Sequence, residues 1–375
     1  MGDKSKIEWT DASWNPVVGC QVISPGCKNC YAQRQAMRLS LMHPNGPYKQ
    51  VVRVRDGRAL PKWNGRAVEV AERLDQPLRW QRPRRIFVNS MSDLFHHDVS
   101  REFIAATLGV MALCGHHTFQ LLTKRPARMR ELMDSITLEE AIESMADYGV
   151  SWGSSGFSKH VMREMTAMGR DTKWDGPFCD MPWLMLGVSV EDQETADERL
   201  PDLLGTRAAT RFVSYEPALG PVYFPDNSLG CTGHLAETFG NPLIHQIIIG
   251  GESGPESRPF DVIWAESVIE QTRNNGCAVY MKQLGAVPMD SRLADIIGPD
   301  GKRHYTRPCA DAAQMLKDSE RTDYETGERT PAKGYSMRAH QLPLKHRKGG
   351  DMNEWPEGLR LREIPRVLQQ MPGAQ

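Results

Sequence analysis

At 375 residues and a formal charge of −1, the chain can bury a large core in one big domain or two ordinary ones. No whole-protein field calls for a polyanionic partner, which leaves only a local basic face open. The eight cysteines form no repeating framework, Met1 to Glu8 is polar, and no run approaches the ~18 apolar residues of a membrane span. A cytoplasmic protein with no signal peptide and no membrane contact is the expectation.

Ile7-Glu8-Trp9-Thr10-Asp11 leads into Trp14-Asn15-Pro16-Val17-Val18, where Val17-Val18 is expected to end a first strand. Trp9 and Trp14 are expected to wall the loop that follows. That loop, Gly19 to Ala32, holds Cys20, Cys27 and Cys30 in a C-x6-C-x2-C spacing, with Ser24, Pro25 and Gly26 turning its middle. Tyr31 to Met42 carries Met37 and Leu41 and no breaker, so it reads as a helix. Cys30 then sits at a helix N-terminus, where backbone N–H groups and the dipole stabilise a thiolate or an anionic cluster. Three thiolates can hold three irons of a [4Fe–4S] cube and leave the fourth iron open. A structural zinc site wants four ligands, and no fourth lies in this segment. A partly filled zinc site and an ordinary small loop stay open as alternatives.

Val51 to Val54 and Ala67 to Val70 alternate, with Asp56-Gly57 and Asn64-Gly65 between them, which suggests an inserted hairpin or paired edge strands. Arg79, Arg82, Arg84 and Arg85 form a basic run, either a solvated face or a phosphate contact. From Ile86 the pattern becomes regular. Strands are predicted at Ile86–Ser90, Thr118–Leu122, Trp183–Val190, Arg211–Tyr215, Ile247–Ile249 and Cys277–Met281. Between them run helical patterns carrying Phe103, Ile104, Leu108 and Met111; then Met129, Leu132 and Met133 after Pro126; then Ala196, Leu200, Leu203 and Leu204; then Trp264, Val268 and Ile269 after a capping Asp261. This alternation implies an α/β fold, a parallel sheet closed or partly closed into a (β/α) barrel. Insertions are expected near 45–80, 136–182 and 223–243. The barrel would span 1–286, and 287–375 would be an irregular extension packed on it.

Each strand breaks into polar residues at its C-terminal end, the end where α/β barrels place their chemistry. Ser92 and Asp93, Lys124, Glu191, Glu216, Gly250 to Ser253, and Lys282-Gln283 all fall there. Asp93 is either a cap or a ligand contact, and Lys124 either solvated or facing an anion. Glu191 and Glu216 either serve a helix dipole or hold ribose or substrate. Gly250-Gly251 is either a tight bend or a close approach of backbone to ligand. Cys114 and Cys277 read as core, and Cys179, Cys231 and Cys309 lie on predicted loops. The pairs His96-His97 and His116-His117 are expected to point different ways and to share no metal.

Seven motifs in order carry a resemblance: Ile7 to Asp11, the three-cysteine loop, Ser92-Asp93-Leu94-Phe95, Leu122 to Pro126, Gly187 to Glu191, Glu216-Pro217, and Gly250 to Gly254. Together they resemble the phage Gp37/Gp68 family, also described as DUF5131 or three-Cys-motif proteins, from about Lys6 to Gly285. The tail motif Lys348-Gly349-Gly350-Asp351 to Trp355-Pro356 fits as well. The cysteine loop and inferred barrel are similar to radical S-adenosylmethionine enzymes, of the radical-SAM/TIM type. The loop departs from the usual C-x3-C-x2-C spacing, and Asn29 stands where an aromatic residue often precedes the last cysteine.

That resemblance implies a [4Fe–4S] cluster on Cys20, Cys27 and Cys30 that cleaves S-adenosylmethionine to a 5′-deoxyadenosyl radical, which abstracts hydrogen from a substrate. It implies cofactor contacts from Ser92, Asp93, Glu191, Gly250, Gly251, Glu252 and Ser253, and catalytic roles for Lys124, Glu216 and Lys282. An electron donor such as flavodoxin or ferredoxin, a three-Cys-motif partner protein and a nucleic acid are the expected partners. A zinc-stabilised nucleic-acid-binding protein and an iron–sulfur sensing module are the competing readings.

Overall fold

A computed structural model describes residues 5, 7–150, 181–225, 228–230, 243–273, 275–297, 303–308, 321–322, 329–330, 336–346 and 348–365. Seven strands form one sheet: β1 (Ala12–Trp14), β2 (Arg85–Val88), β3 (Thr118–Thr123), β4 (Leu184–Val190), β5 (Thr210–Tyr215), β6 (Gln246–Gly250) and β7 (Ala278–Gln283). They are paired in chain order and every pair is parallel. The twist of successive parallel strands curls the sheet, giving a mixed α/β fold around a half-barrel. β1 and β7 do not pair with each other.

The pleat sorts the strand residues onto two sides. Ile86, Val88, Leu121, Leu186, Val188, Val213, Ile247, Ile249 and Val279 join the large outer core with the helices. Those helices are α2 (Arg101–Leu113), α3 (Pro126–Ser135), α4 (Leu138–Asp147), α5 (Gln193–Gly205) and α6 (Val262–Thr272). Their starts are capped by Ser100, Thr137, Asp192 and Asp261, whose side chains accept from backbone N–H groups; Pro126 opens α3. The other side carries Phe87, Met185, Phe212, Ile248 and Tyr280, packed with Trp9 into a plug inside the curl. Gly187 allows this, because a Cβ there would lie 2.4 Å from the Phe212 ring.

Several expectations need correction. Val17-Val18 does not end the first strand: β1 stops at Trp14, and Val17–Val18 pairs antiparallel with Val68–Glu69 instead. Asn15 and Pro16 intervene, and proline cannot donate to a ladder. Trp9 lines the interior chamber, but Trp14 does not; it is fully buried in the outer core, its Nε1 donating to the Arg73 carbonyl at 2.7 Å. Val52–Arg55 pairs with Arg58–Trp63, not with Ala67–Val70. The Asp56-Gly57 turn, with φ of 50° and 71°, sets that register, as a tight hairpin turn requires. Helix α1 (Tyr31–Met42) packs on this hairpin through a separate small core of Ala32, Ala36, Val52 and Trp63.

The segment expected to be an insertion without strands holds α4, which packs on α2 where Gly109 leaves room for Met145. Residues 151–180 and the expected loop positions 231–242 lie outside the described residues, as do Cys179, Cys231 and Cys309. The tail is not irregular throughout. Pro288–Ile297 pairs parallel with Phe260–Asp261, and antiparallel with both Arg303–Pro308 and Ser336–Gln341.

After that sheet the chain returns to the half-barrel. Met281 N–H donates to Leu361 O at 2.8 Å and Glu363 N–H to Val279 O at 2.9 Å, so this segment covers the free edge of β7. Trp355, 2% exposed, anchors it and donates from Nε1 to Gly349 O at 2.8 Å. Among the described residues no helix is long and apolar enough to cross a membrane.

Replacing Trp355 by alanine is expected to destabilise the protein by about 3–5 kcal/mol. Guanidinium unfolding measures this; a loss below ~1 kcal/mol would show that the tail does not brace the sheet.

Candidate functional site

The interior of the half-barrel changes character along its strands. Above the apolar plug come the short residues Ser189 and Ser214, on β4 and β5. Beyond them, at the strand ends, stand Lys124, Glu191, Glu216, Glu252 and Lys282. A chamber of about 220 Å³ opens at this rim. It is lined by Cys20, Cys27 and Cys30, by Ser92 and Asp93, and by Lys124, Glu216, Gly251, Glu252, Ser253 and Lys282. Eleven of the thirteen residues that the sequence suggests for a site line this chamber; Glu191 and Gly250 stand just behind it. A larger cavity, about 630 Å³, lies off the rim between the end of α1 and Arg73 and holds none of these residues.

The cysteine loop is held on this rim by backbone and by one carboxylate. Gly19, at φ +89°, passes so close to Arg66 O and Val51 that a Cβ would clash at 2.4 Å and 2.6 Å. It pairs with Ser92, whose hydroxyl donates to Val17 O at 2.7 Å. Pro25–Cys27 forms a single helical turn, and Cys30 is the N-cap of α1, as the spacing predicts. Glu191, fully buried, accepts from Lys124 Nζ, from Ser24 Oγ at 2.9 Å and from Arg199 Nη1 at 3.2 Å. Gly26 packs on the same carboxylate, 2.5 Å from where its Cβ would be. Glu191 is thus a tie between the loop, β3, β4 and α5, rather than a helix-start acid.

Asp93 is equally engaged. It accepts from Thr123 Oγ1 at 2.8 Å, Phe95 N–H at 3.0 Å and Arg125 Nη1 at 2.7 Å. Glu252 accepts a fork from Arg258, at 2.7 Å and 3.0 Å, and a bond from Asn29 Nδ2 at 3.1 Å. Burial pushes the Glu252 carboxyl up, but the Arg258 and Asn29 hydrogen bonds together outweigh it and hold it below the usual carboxylate range. Arg258 also donates to Pro25 O at 3.0 Å, so this group clamps the loop from the far side. Lys282 and Glu216 form the remaining pair, 2.5 Å apart and each 19% exposed, facing the chamber. Gly250 lets them approach, since a Cβ there would sit 3.2 Å from the Glu216 carboxyl.

The three thiols differ. Burial, then the Asp93 charge, pushes Cys20 up to about 12, and burial raises Cys30. Burial also raises Cys27, but the Lys124 ammonium and the hydrogen bonds from the Ile23–Ser24 turn bring it below the ordinary thiol value. Among the described residues, the group whose ligand atoms all lie within 4.8 Å is His96, His97 and Asp98, not the cysteines. Contrary to expectation the paired histidine rings lie together, at 4.2 Å for His96–His97 and 3.9 Å for His116–His117, because turns rather than a strand carry them. Cys114 and Cys277 are buried core residues.

Sequence reasoning did not single out Asn29, Arg125, Arg199 or Arg258 as functional. Arg125 follows the strand-end Lys124 and was a legible candidate, whereas Arg199 and Arg258 act through folding that brings distant residues together. The basic run is used within the fold: Arg79 pairs with Asp75 at 2.8 Å, Arg84 lies over Trp80, and Arg85 pairs with Asp11 at 3.2 Å.

The family model described as "Protein of unknown function (DUF5131)" matches residues 4–339, and the chain belongs to that family. No curated protein and no solved structure matches it.

Two substitutions probe the loop's anchorage. Gly26→Ala should cost about 1–3 kcal/mol by forcing the loop off Glu191; an unchanged urea midpoint would count against the close packing. Glu252 is held below its unfolded-state value of roughly 4.3, so its contribution is full above that value and is lost as pH falls through the folded one. Glu252→Gln should therefore be about 1.5–3 kcal/mol less stable near neutral pH, and the gap should close in acid. A gap that persists at low pH would contradict the assignment.

Proposed function

We propose that this DUF5131 protein is an enzyme of the radical S-adenosylmethionine type, built on a partial barrel related to the (β/α) class. Cys20, Cys27 and Cys30 would hold its [4Fe–4S] cluster. The observation that carries this reading is that three thiols face one chamber at the C-terminal rim of a parallel sheet, with no fourth cysteine and no histidine in its lining among the described residues. Three sulfur ligands suit a cube with one open iron. Zinc would draw three thiolates to within about 3.8 Å of one another, from its 2.3 Å bonds and tetrahedral angles. These sulfurs do not all lie within 4.8 Å, so the loop as it stands does not hold a zinc-sized site. The surroundings also fit an anionic group: Lys124 faces Cys27, Arg125 faces Cys20, and Cys30 caps a helix N-terminus.

When bound, the cluster would supply the electron that cleaves the sulfonium bond of S-adenosylmethionine and so starts hydrogen abstraction. The chain's own residues do the rest. Lys282 and Glu216 offer an ammonium and a carboxylate to the chamber from adjacent wall positions, and are the groups best placed to meet a ligand's polar atoms. Ser92, with its hydroxyl proton committed to Val17 O, keeps lone pairs to accept from an amino group. Gly251 lines the chamber and must be glycine because its Cβ position is filled by Leu284 O at 2.4 Å. Asp93, Glu191 and Glu252 have their oxygens engaged by protein donors and act by holding the rim rigid. The chamber, about 220 Å³, is smaller than the roughly 300–1,000 Å³ of ordinary small-molecule pockets, so a ligand held there would extend through its mouth. Trp9, Phe87 and Leu122 line the inner part of the chamber and keep water from below. A flavodoxin or ferredoxin would deliver the electron.

Anaerobic purification should give a brown protein with broad visible absorption and about four irons per chain. Dithionite and S-adenosylmethionine should then yield 5′-deoxyadenosine. Cys27→Ala should lose the iron while Cys114→Ala keeps it. A colourless zinc protein, or a cluster that never cleaves S-adenosylmethionine under any reductant, would overturn the reading.

A further inference from the structure

We infer that the unit formed by the cysteine loop, α1 and the hairpin Val52–Trp63 docks the phosphate backbone of a polynucleotide beside the chamber mouth. The whole chain is near neutral, yet between Ala12 and Val68 it holds nine lysines and arginines and one acid, Asp56. Lys28 on the loop, Arg38 on α1 and Lys49 just after it are exposed. So are Arg53, Arg55, Arg58 and Lys62 on the hairpin. Loop, helix and hairpin share one small core around Ala36, Val51 and Trp63, against which Cys20 and Cys30 also pack. The charges therefore ride on a single packed unit. Among the described residues its only ion pair is Arg55–Asp56, 3.7 Å apart with both side chains at least 80% exposed, a contact worth little. Arg66 is answered by Asp98 and is left out of the surface.

Two of these placements work against the free protein. Arg55 and Arg58 are direct cross-strand partners in the hairpin, and like charges opposite each other are destabilising. Arg34 and Arg38 stand four residues apart on α1, the spacing at which like charges weaken a helix. A row of anions reverses both effects. The charge also reaches the rim. Lys62 Nζ meets Lys28 O at 3.4 Å, and Arg34 Nη2 lies 2.6 Å from where a Cβ of Gly254 would be, next to the chamber residue Ser253.

Tyr31, the first residue of α1, lines the chamber, is 50% exposed and is fixed by its hydroxyl bond to Ser90 O at 2.7 Å. A fixed aromatic face at the end of a guanidinium-rich surface suits a stacked base on an unpaired strand. An acidic protein would use the charges but not the ring. The inference names the substrate class of the proposed enzyme and rests on that reading for its purpose, though not for the binding itself.

The test is fluorescence anisotropy with the full chain and labelled single strands of about 20 nucleotides, DNA and RNA in separate arms, across a salt series. Affinity should fall linearly on a log–log plot. The triple variant Arg53→Glu, Arg55→Glu, Arg58→Glu should bind roughly tenfold or more weakly and flatten the slope by about 2. A control pair, Arg79→Gln with Arg82→Gln, should bind as the parent does, and circular dichroism confirms that each variant folds. Unchanged affinity in the triple variant, salt-independent binding, or polyglutamate competing as well as unlabelled oligonucleotide would overturn the inference. The triple variant should still cleave S-adenosylmethionine at the parent rate without substrate. If cleavage persists and binding fails, only the docking surface falls. If binding persists and no chain cleaves, only the enzymatic reading falls.

Discussion

The rim of this half-barrel depends on one buried carboxylate. Glu191 is fully buried and is met by a lysine from the end of β3, an arginine from α5 and a serine from the cysteine loop. Burying charge is expensive unless every lone pair is answered, and removing one member of such a group leaves another uncompensated. Unseating the loop would take the Ser24 hydrogen bond and the Gly26 packing from Glu191 and leave the buried acid one partner short. The arrangement also sets the Lys124 ammonium next to Cys27. A thiolate, or an anionic cluster carrying thiolates, is what that ammonium favours. The same tie that fixes the loop thus sets the electrostatics of its middle cysteine.

The strands that carry the rim explain why it is polar only at one end. Read along the inward positions, each runs from a large apolar side chain, through a small one, to a charge: Met185, Gly187, Ser189, Glu191 on β4, and Phe212, Ser214, Glu216 on β5. The apolar residues close the inside of the curl and the small ones make space; Glu216 faces that space, while Glu191 holds the loop from behind it. A curled parallel sheet whose interior was apolar throughout would be a packed core with no chamber.

How much of this was legible follows from how local each signal is. Alternating strands and helices, the cap at Asp261, and the helix after Cys30 rest on patterns within a dozen residues, and so could be read directly. The rim residues were legible because polarity at strand ends is a local signal and the topology then gathers those ends. The hairpin partner of Val52–Arg55 was missed because Arg58–Trp63 contains a proline and little alternation, while Ala67–Val70 looked more strand-like; the Asp56-Gly57 turn outweighed propensity. The antiparallel strands of the tail were missed because polar, turn-rich stretches show no period when partners are distant in sequence. Arg199 and Arg258 were invisible for a related reason: each matters only through a carboxylate or a loop brought to it by the fold.

An open half-barrel has a problem that a closed barrel lacks, namely two exposed edges. Here the β7 edge is covered by Leu361–Glu363, held in place by Trp355 and by Arg362, which pairs with Glu8 at 2.6 Å and lies over the rings of Tyr280 and Trp355. Glu8 precedes β1, so the Arg362–Glu8 pair spans from one edge of the sheet to the other. The tail does with side chains and a few backbone bonds what an eighth strand would do with a full ladder. That closure starts low on β7, near Val279 and Met281, and the tail also meets the chain just past the strand, where Leu284 N–H donates to Gly349 O at 2.9 Å. The cysteine loop occupies the rim above. Leaving the sheet open is thus what gives the loop a place to sit, and the tail is what makes an open sheet stable enough to carry it.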